Sequence, residues 1–206
     1  MVKEIELKLD LGSFSNYLKL MGFLGQVESE THQKNAFFDT EERKLRASGW
    51  ALRVRAEDER GFVTVKGVST QVGGALVRDE FEAEISRSEA INCMALTTDI
   101  MSMGVAPIDF VKHQVGHVPV MILVKFDNVR QIKTVRLGDY DYRFEVDKTE
   151  FGDGSVDYEL EVEVPETSHI EVVGDGIRRI FSSLDIPYEP QGEGKFSRAL
   201  QRAGIK

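Results

Sequence analysis

The chain has 206 residues, 41% hydrophobic and 30% charged, so it is long enough to bury a core and is neither disordered nor fibrous. Its formal net charge of −9 argues against a nucleic-acid partner. No apolar run reaches the length of a membrane span, the N-terminus lacks a signal-peptide core, and a lone cysteine, Cys93, fits a cytoplasmic setting.

Residues 4–9 alternate charged and apolar side chains with strand period, which puts Glu4, Glu6 and Lys8 on one face and Ile5, Leu7 and Leu9 on the other. Residues 13–24 carry Phe14, Tyr17, Leu18 and Met21 at helical spacing, with Ser13 as cap and Gly22 and Gly25 marking the end. An extended segment over 31–40 ends in a turn, and residues 41–48 lead to a strand starting near Trp50. Residues 51–55 and 62–66 pair as a hairpin across the polar loop 57–61. Gly73 and Gly74 make the next turn before a strand over 77–85.

Ser86 and Glu89 have capping-box spacing for a helix through Ile91, Met94 and Leu96, and Pro107 and Gly116 limit its continuations. Strands are predicted over 119–124, 130–135, 142–147 and 158–164. Thr167 or Ser168 caps a helix carrying Ile170, Val173, Ile177 and Phe181, and a loop from Gly192 enters a last short helix. No linker interrupts the chain, so residues 1–206 read as one domain.

The two-sided pattern of the first strand recurs. Val54 separates Arg53 from Arg55, Val65 separates Thr64 from Lys66, Phe81 separates Glu80 from Glu82, Val146 separates Glu145 from Asp147, and Leu160 separates Glu159 from Glu161. One such triplet is ordinarily a wet strand face. A whole series calls for an apolar layer outside and a charged space inside, which a closed antiparallel barrel supplies. The predicted fold is therefore α+β, a barrel with a charged lumen and helices packed outside. Inside it, clustered carboxylates suit a hard divalent cation such as Mg²⁺ or Mn²⁺. Clustered arginines and lysines suit phosphate, and the two together suit a metal-bound polyphosphate. His113 and His117 stand at i, i+4 without a third ligand and read as a surface pair, while Cys93 reads as core.

Taken in order, Glu4-x-Glu6-x-Lys8 resembles the ExExK signature of the CYTH, or triphosphate tunnel metalloenzyme, superfamily. Phe38-Asp39-Thr40, Leu52-Arg53-Val54-Arg55, Val65-Lys66-Gly67 and Arg78-x-Glu80-x-Glu82 are similar to its next four motifs. Glu145-Val146-Asp147, Tyr158-Glu159-Leu160-Glu161 and Gly194-Lys195-Phe196 resemble its late acidic strands and C-terminal lysine segment.

The resemblance implies an eight-stranded tunnel and metal-dependent hydrolysis of a small-molecule triphosphate. Glu4, Glu6, Glu159 and Glu161 would then hold metal, and Lys8, Arg53, Arg55, Lys66, Arg130 and Lys195 the phosphate chain. Glu4, Glu6, Lys8 and Glu161 would form the catalytic set, with Glu80, Glu82, Glu145 and Asp147 as supporting acids. The look is closest to plant and bacterial tripolyphosphatases. Thiamine triphosphatase and class IV adenylyl cyclase are the alternative activities, and a polyphosphate-binding module without turnover is the non-enzymatic one. Ala51, not Trp50, shares parity with Arg53, which lowers the thiamine reading because a stacking aromatic is missing from that face.

Overall fold

A computed structural model of the chain describes residues 2–205. Eight strands close into a ring: β1 (Val2–Asp10), β2 (Ser29–Asp39), β3 (Trp50–Glu57), β4 (Arg60–Gly67), β6 (Ala75–Ser86), β7 (Met121–Leu137), β8 (Tyr140–Phe151) and β9 (Val156–Glu163). Around the ring the order is β1-β9-β8-β7-β2-β3-β4-β6, and β6 returns to β1, every pairing antiparallel. Short strands β5 (Thr70–Val72) and β10 (Glu189–Pro190) extend β6 and β1 beyond the ring. The fold predicted from alternation is the fold observed.

Register explains why the bore tolerates so much charge. Lys8 lies opposite Glu161, Glu4 opposite Arg78, Lys66 opposite Glu80 and Arg130 opposite Asp147. Opposite charges directly across a ladder stabilise the pairing, and a slip of one residue would turn all of them into the apolar layer.

Outside the wall lie two apolar cores. Helices α1 (Phe14–Leu24) and α5 (Ile170–Ser183) cover one side, where Leu20, Ile177 and Phe181 meet Leu9, Phe144 and Leu160. Helices α3 (Arg87–Met94) and α4 (Ala106–Val115) cover the other, where Cys93, Ile108 and Val111 meet Leu52, Val63 and Val65. Gly61 is required there, because a Cβ would sit 2.7 Å from the Ala90 Cβ. The short helix α2 (Lys44–Ala47) follows β2, and Asp39 Oδ1 accepts from the Leu45 backbone N–H at 2.9 Å. A third apolar cluster lies on the inward side of the wall. Phe37, Phe126 and Phe151 have inward parity and pack on Ala199 and Leu200 of α6 (Lys195–Arg202).

Several local expectations change. The loop expected over 57–61 contracts to Asp58-Glu59, since β3 and β4 pair as far as Glu57 and Arg60. Residues 121–137 form one strand instead of two, because Asp127-Asn128 has turn composition yet Asn128 is buried and donates to Gln33 Oε1 at 3.0 Å. Neither Thr167 nor Ser168 caps α5; a 3-10 turn over Thr167–His169 precedes it. Ser13 does cap α1, accepting from the Asn16 backbone N–H at 3.2 Å, and Ser86 with Glu89 forms the capping box of α3. His113 and His117 are exposed and Cys93 is buried.

Candidate functional site

A cavity of about 490 Å³ opens into the bore, within the size range of small-molecule sites. Glu4, Glu6, Lys8, Arg53, Arg55, Lys66, Glu80, Glu82, Arg130, Glu145, Glu161 and Lys195 all line it. Asp147 and Glu159 stand behind this surface, buried and joined to Lys195. Strand parity brings thirteen of the fourteen sequence-predicted residues to one enclosure, and Lys195 joins them from the start of α6.

One side of the enclosure is an acid group. Asp147, Glu159 and Glu161 each offer an oxygen, and these oxygens lie within 4.8 Å of one another. Lys195 Nζ stands among them, 2.7 Å from Asp147 Oδ2 and 2.8 Å from Glu161 Oε1, and is also paired with Glu159. Lys8 Nζ contacts Glu161 and lies 3.6 Å from Glu6 and 3.9 Å from Glu159. Arg130 ties the group to its neighbours: it donates to Asp147 Oδ1 at 2.8 Å and is paired with Glu145 and Glu161.

A second acid group stands on the adjoining strands. Arg78 is paired with Glu4 and donates to Glu6 Oε1 at 2.9 Å, while Lys66 Nζ sits 2.6 Å from Glu80 and 3.4 Å from Glu4.

Beyond it the charge changes sign. Glu82 Oε2 accepts from Thr64 at 2.7 Å and stands 3.5 Å from Arg53 and 3.6 Å from Arg55. Arg55 has Glu57 at 3.3 Å as its other carboxylate. Arg53 Nε is buried and, among the described residues, has no hydrogen-bond partner.

Electrostatics follow from these contacts. Burial works to raise the carboxyls of Glu161 and Asp147, but Lys195, Lys8 and Arg130 hold Glu161 low, and Arg130 and Lys195 hold Asp147 low. Burial also opposes the charge of Glu4, and Lys66 with Arg78 outweighs it, so Glu4 titrates well below the usual range. Glu6 goes the other way: burial dominates, Glu161 and Glu4 add to it, and its carboxyl is pushed up despite Lys8. Burial and the neighbouring Arg53 pull Arg55 down to about 10, and burial with Arg53 and Arg78 lowers Lys66.

The sequence reading missed several residues here. Gln33 donates to Glu57 at 2.9 Å and accepts from Asn128, whose carbonyl accepts from Thr149 at 2.8 Å, an uncharged chain along the wall from β2 through β7 to β8. Their signal was parity: Asn128 lies two residues before Arg130 and Thr149 two after Asp147. Arg198, three residues after Lys195 on α6, was also unread; its Nη2 donates to Glu159 Oε2 at 2.6 Å. Trp50 reaches the rim but packs edge-to-face on Phe110 at 4.7 Å, outside the wall, while Ala51 lines the cavity.

Three comparisons bear on this geometry. Among solved structures, HpAC1 from Hippeastrum, described as an adenylyl cyclase with a dominant triphosphatase activity, superposes with a TM-score of 0.84 at 27% identity, covering 98% of this chain and 97% of that one. Two more distant structures share the fold. Bh2851 from Bacillus halodurans, named as an adenylate cyclase, gives 0.70 at 20% identity, covering 96% of this chain and 98% of its own. PH1819 from Pyrococcus horikoshii gives 0.62 at 17%, covering 97% and 99%. No curated protein matches the chain in sequence. The model of the CYTH domain matches residues 2–191, which include every strand of the barrel, and the chain belongs to the CYTH domain family.

Proposed function

We propose that the protein hydrolyses a triphosphate with a divalent metal, and that its substrate is inorganic tripolyphosphate. The observation that carries this reading is a closed bore with acids gathered on β8 and β9 and under-compensated arginines on β3. A metal-bound phosphate chain has a partner in each region, metal at the acids and phosphate at the arginines. The triphosphatase activity of the Hippeastrum neighbour supports the reaction class.

The donor set fits Mg²⁺ or Mn²⁺: Asp147, Glu159 and Glu161 supply hard oxygens within 4.8 Å, and Glu4 and Glu6 face the same bore. When bound, such an ion polarises phosphoryl oxygens and neutralises their charge. Lys195, now among the three carboxylates, is placed to serve either the acids or a phosphate. Arg53 and Arg55 grip the phosphate chain, and Lys66, Lys8 and Arg130 complete its cationic surround.

Water attacks the terminal phosphorus, its oxygen forms the new P–O bond, and the bridging P–O bond breaks to release pyrophosphate. Glu6 accepts the proton lost by water; its raised carboxyl makes it a better match for that task than its neighbours. The arginines take up the negative charge developing on the leaving group. A cytoplasmic setting suits a chain whose single cysteine cannot form an internal disulfide.

Phosphate release from tripolyphosphate, thiamine triphosphate and ATP, each with Mg²⁺ and Mn²⁺, tests the reading. Fastest turnover of tripolyphosphate supports it. A preference for thiamine triphosphate, or cyclic AMP from ATP, would replace the substrate. Tight binding of all three without release would make the bore a binding module.

A further inference from the structure

Arg198 does something that no inward-facing strand residue does: it grips the acid group from behind. It sits at i+3 from Lys195 on α6, so both side chains leave the same face of that helix. Its guanidinium serves three partners. Nη2 donates to Glu159 Oε2 at 2.6 Å, Nη1 donates to the Glu193 carbonyl at 2.6 Å, and Nε lies 2.8 Å from Asp157 Oδ2. Glu159 is 1% exposed, so water cannot replace a lost partner there. With Oε2 held by Arg198, Oε1 is the oxygen turned to Lys195, which itself contacts Asp147 and Glu161. The Glu193 contact holds the loop immediately ahead of Lys195.

We propose that Arg198 is a positioning residue for the acid group: it holds Glu159 with Oε1 toward Asp147 and Glu161, so the three-carboxylate set is assembled only while α6 is seated. The inference rests on the metal-dependent reading above. Outer partners that orient ligating carboxylates are a general feature of metal sites, and their loss weakens metal affinity without removing a ligand.

Arg202 provides an internal control. It lies on the same helix, donates to Asp157 Oδ1 at 2.6 Å and covers the Phe151 ring at 4.0 Å, but its carboxylate partner is Asp157 and not Glu159. Its loss loosens the seat of α6 and leaves the Arg198–Glu159 contact in place.

The test is Mn²⁺ titration by calorimetry on the full chain without substrate, for wild type, Arg198→Met, Arg198→Lys and Arg202→Met, with Tm of each in EDTA. Arg198→Met should weaken Mn²⁺ binding by about 10–100-fold. Arg198→Lys should recover part of it, since an ammonium keeps the charge but not the fork. Arg202→Met should lower Tm and leave Mn²⁺ affinity near wild type. If Arg198→Met does not fold, Arg198→Lys against Arg202→Met decides the question in the same way.

Equal weakening by both positions would reduce Arg198 to helix anchoring and overturn the proposal, as would unchanged affinity in the Arg198 variants. In both cases wild-type binding still stands and the metal-dependent reading survives. A wild type that binds no Mn²⁺ overturns both.

Discussion

The two walls of the bore differ in how fully their charges are answered. On β8 and β9, Asp147, Glu159 and Glu161 are met by Lys8, Arg130, Lys195 and Arg198 at short range, and every carboxylate there has at least two cationic neighbours. On β3, Arg53 and Arg55 share one distant oxygen of Glu82, and Arg55 alone has Glu57. Buried charge without full compensation costs free energy. The acidic wall is therefore close to balanced as it stands, whereas the arginine wall is the part that gains from an arriving anion.

This contrast can be broken at either wall. The largest effect is expected from Glu161→Gln, which leaves Lys8, Lys195 and Arg130 short of a partner. Triphosphate turnover should fall by about 10²–10³-fold, and chemical denaturation should show a loss of about 3–5 kcal/mol, the cost of breaking a buried pair. A variant with wild-type stability would mean that the acid group is less tightly coupled than its distances indicate.

Arg53→Ala should act differently. It removes a charge-assisted donor worth about 1.5–3 kcal/mol, so KM for tripolyphosphate should rise roughly 10–100-fold. Its apo stability should fall less than that of Glu161→Gln, because Arg53 loses one hydrogen bond to Thr64 at 3.2 Å and a 3.5 Å contact with Glu82. A stability loss equal to that of Glu161→Gln would erase the difference between the walls.

A pH series sharpens the comparison further. Arg55 is pulled down to about 10 and Lys66 is also lowered, so in both the folded, ligand-free protein disfavours the charged form. The anion selects that charged form. Tripolyphosphate affinity should therefore fall as pH rises through about 10, and binding in that range should take up protons. Calorimetry in two buffers of different ionisation enthalpy measures the uptake; zero uptake would place the anion away from Arg55 and Lys66.

The smallest effect on turnover is expected from Trp50→Ala, because its ring packs on Phe110 outside the wall. Stability should drop by about 1–3 kcal/mol, with tripolyphosphate turnover per folded molecule unchanged. Selective loss of thiamine triphosphate turnover would bring the rim into substrate recognition.

The barrel was legible because alternation of charged and apolar residues is a local pattern, visible in each strand alone. The same parity turned the predicted strand residues inward, while Lys195 comes in on α6. What the sequence hid was partnership. Glu159 reads as one more acid in a Glu-x-Glu strand, and only the folded chain brings Arg198 to it across 39 positions. Asn128 sits in an Asp-Asn pair of turn composition, and the hydrogen bonds that keep it in a strand come from Gln33 and Thr149 on neighbouring strands. Phe37, Phe126 and Phe151 alternate inward like the charged residues, and their apolar partners, Ala199 and Leu200, arrive only with α6.

Crystals soaked with Mn²⁺ and tripolyphosphate give the most direct test of the central claim. Anomalous density should appear among Asp147, Glu159 and Glu161, with the phosphate chain running from there to Arg53 and Arg55. A bore that stays free of both ions while they bind on the outer surface would contradict the account.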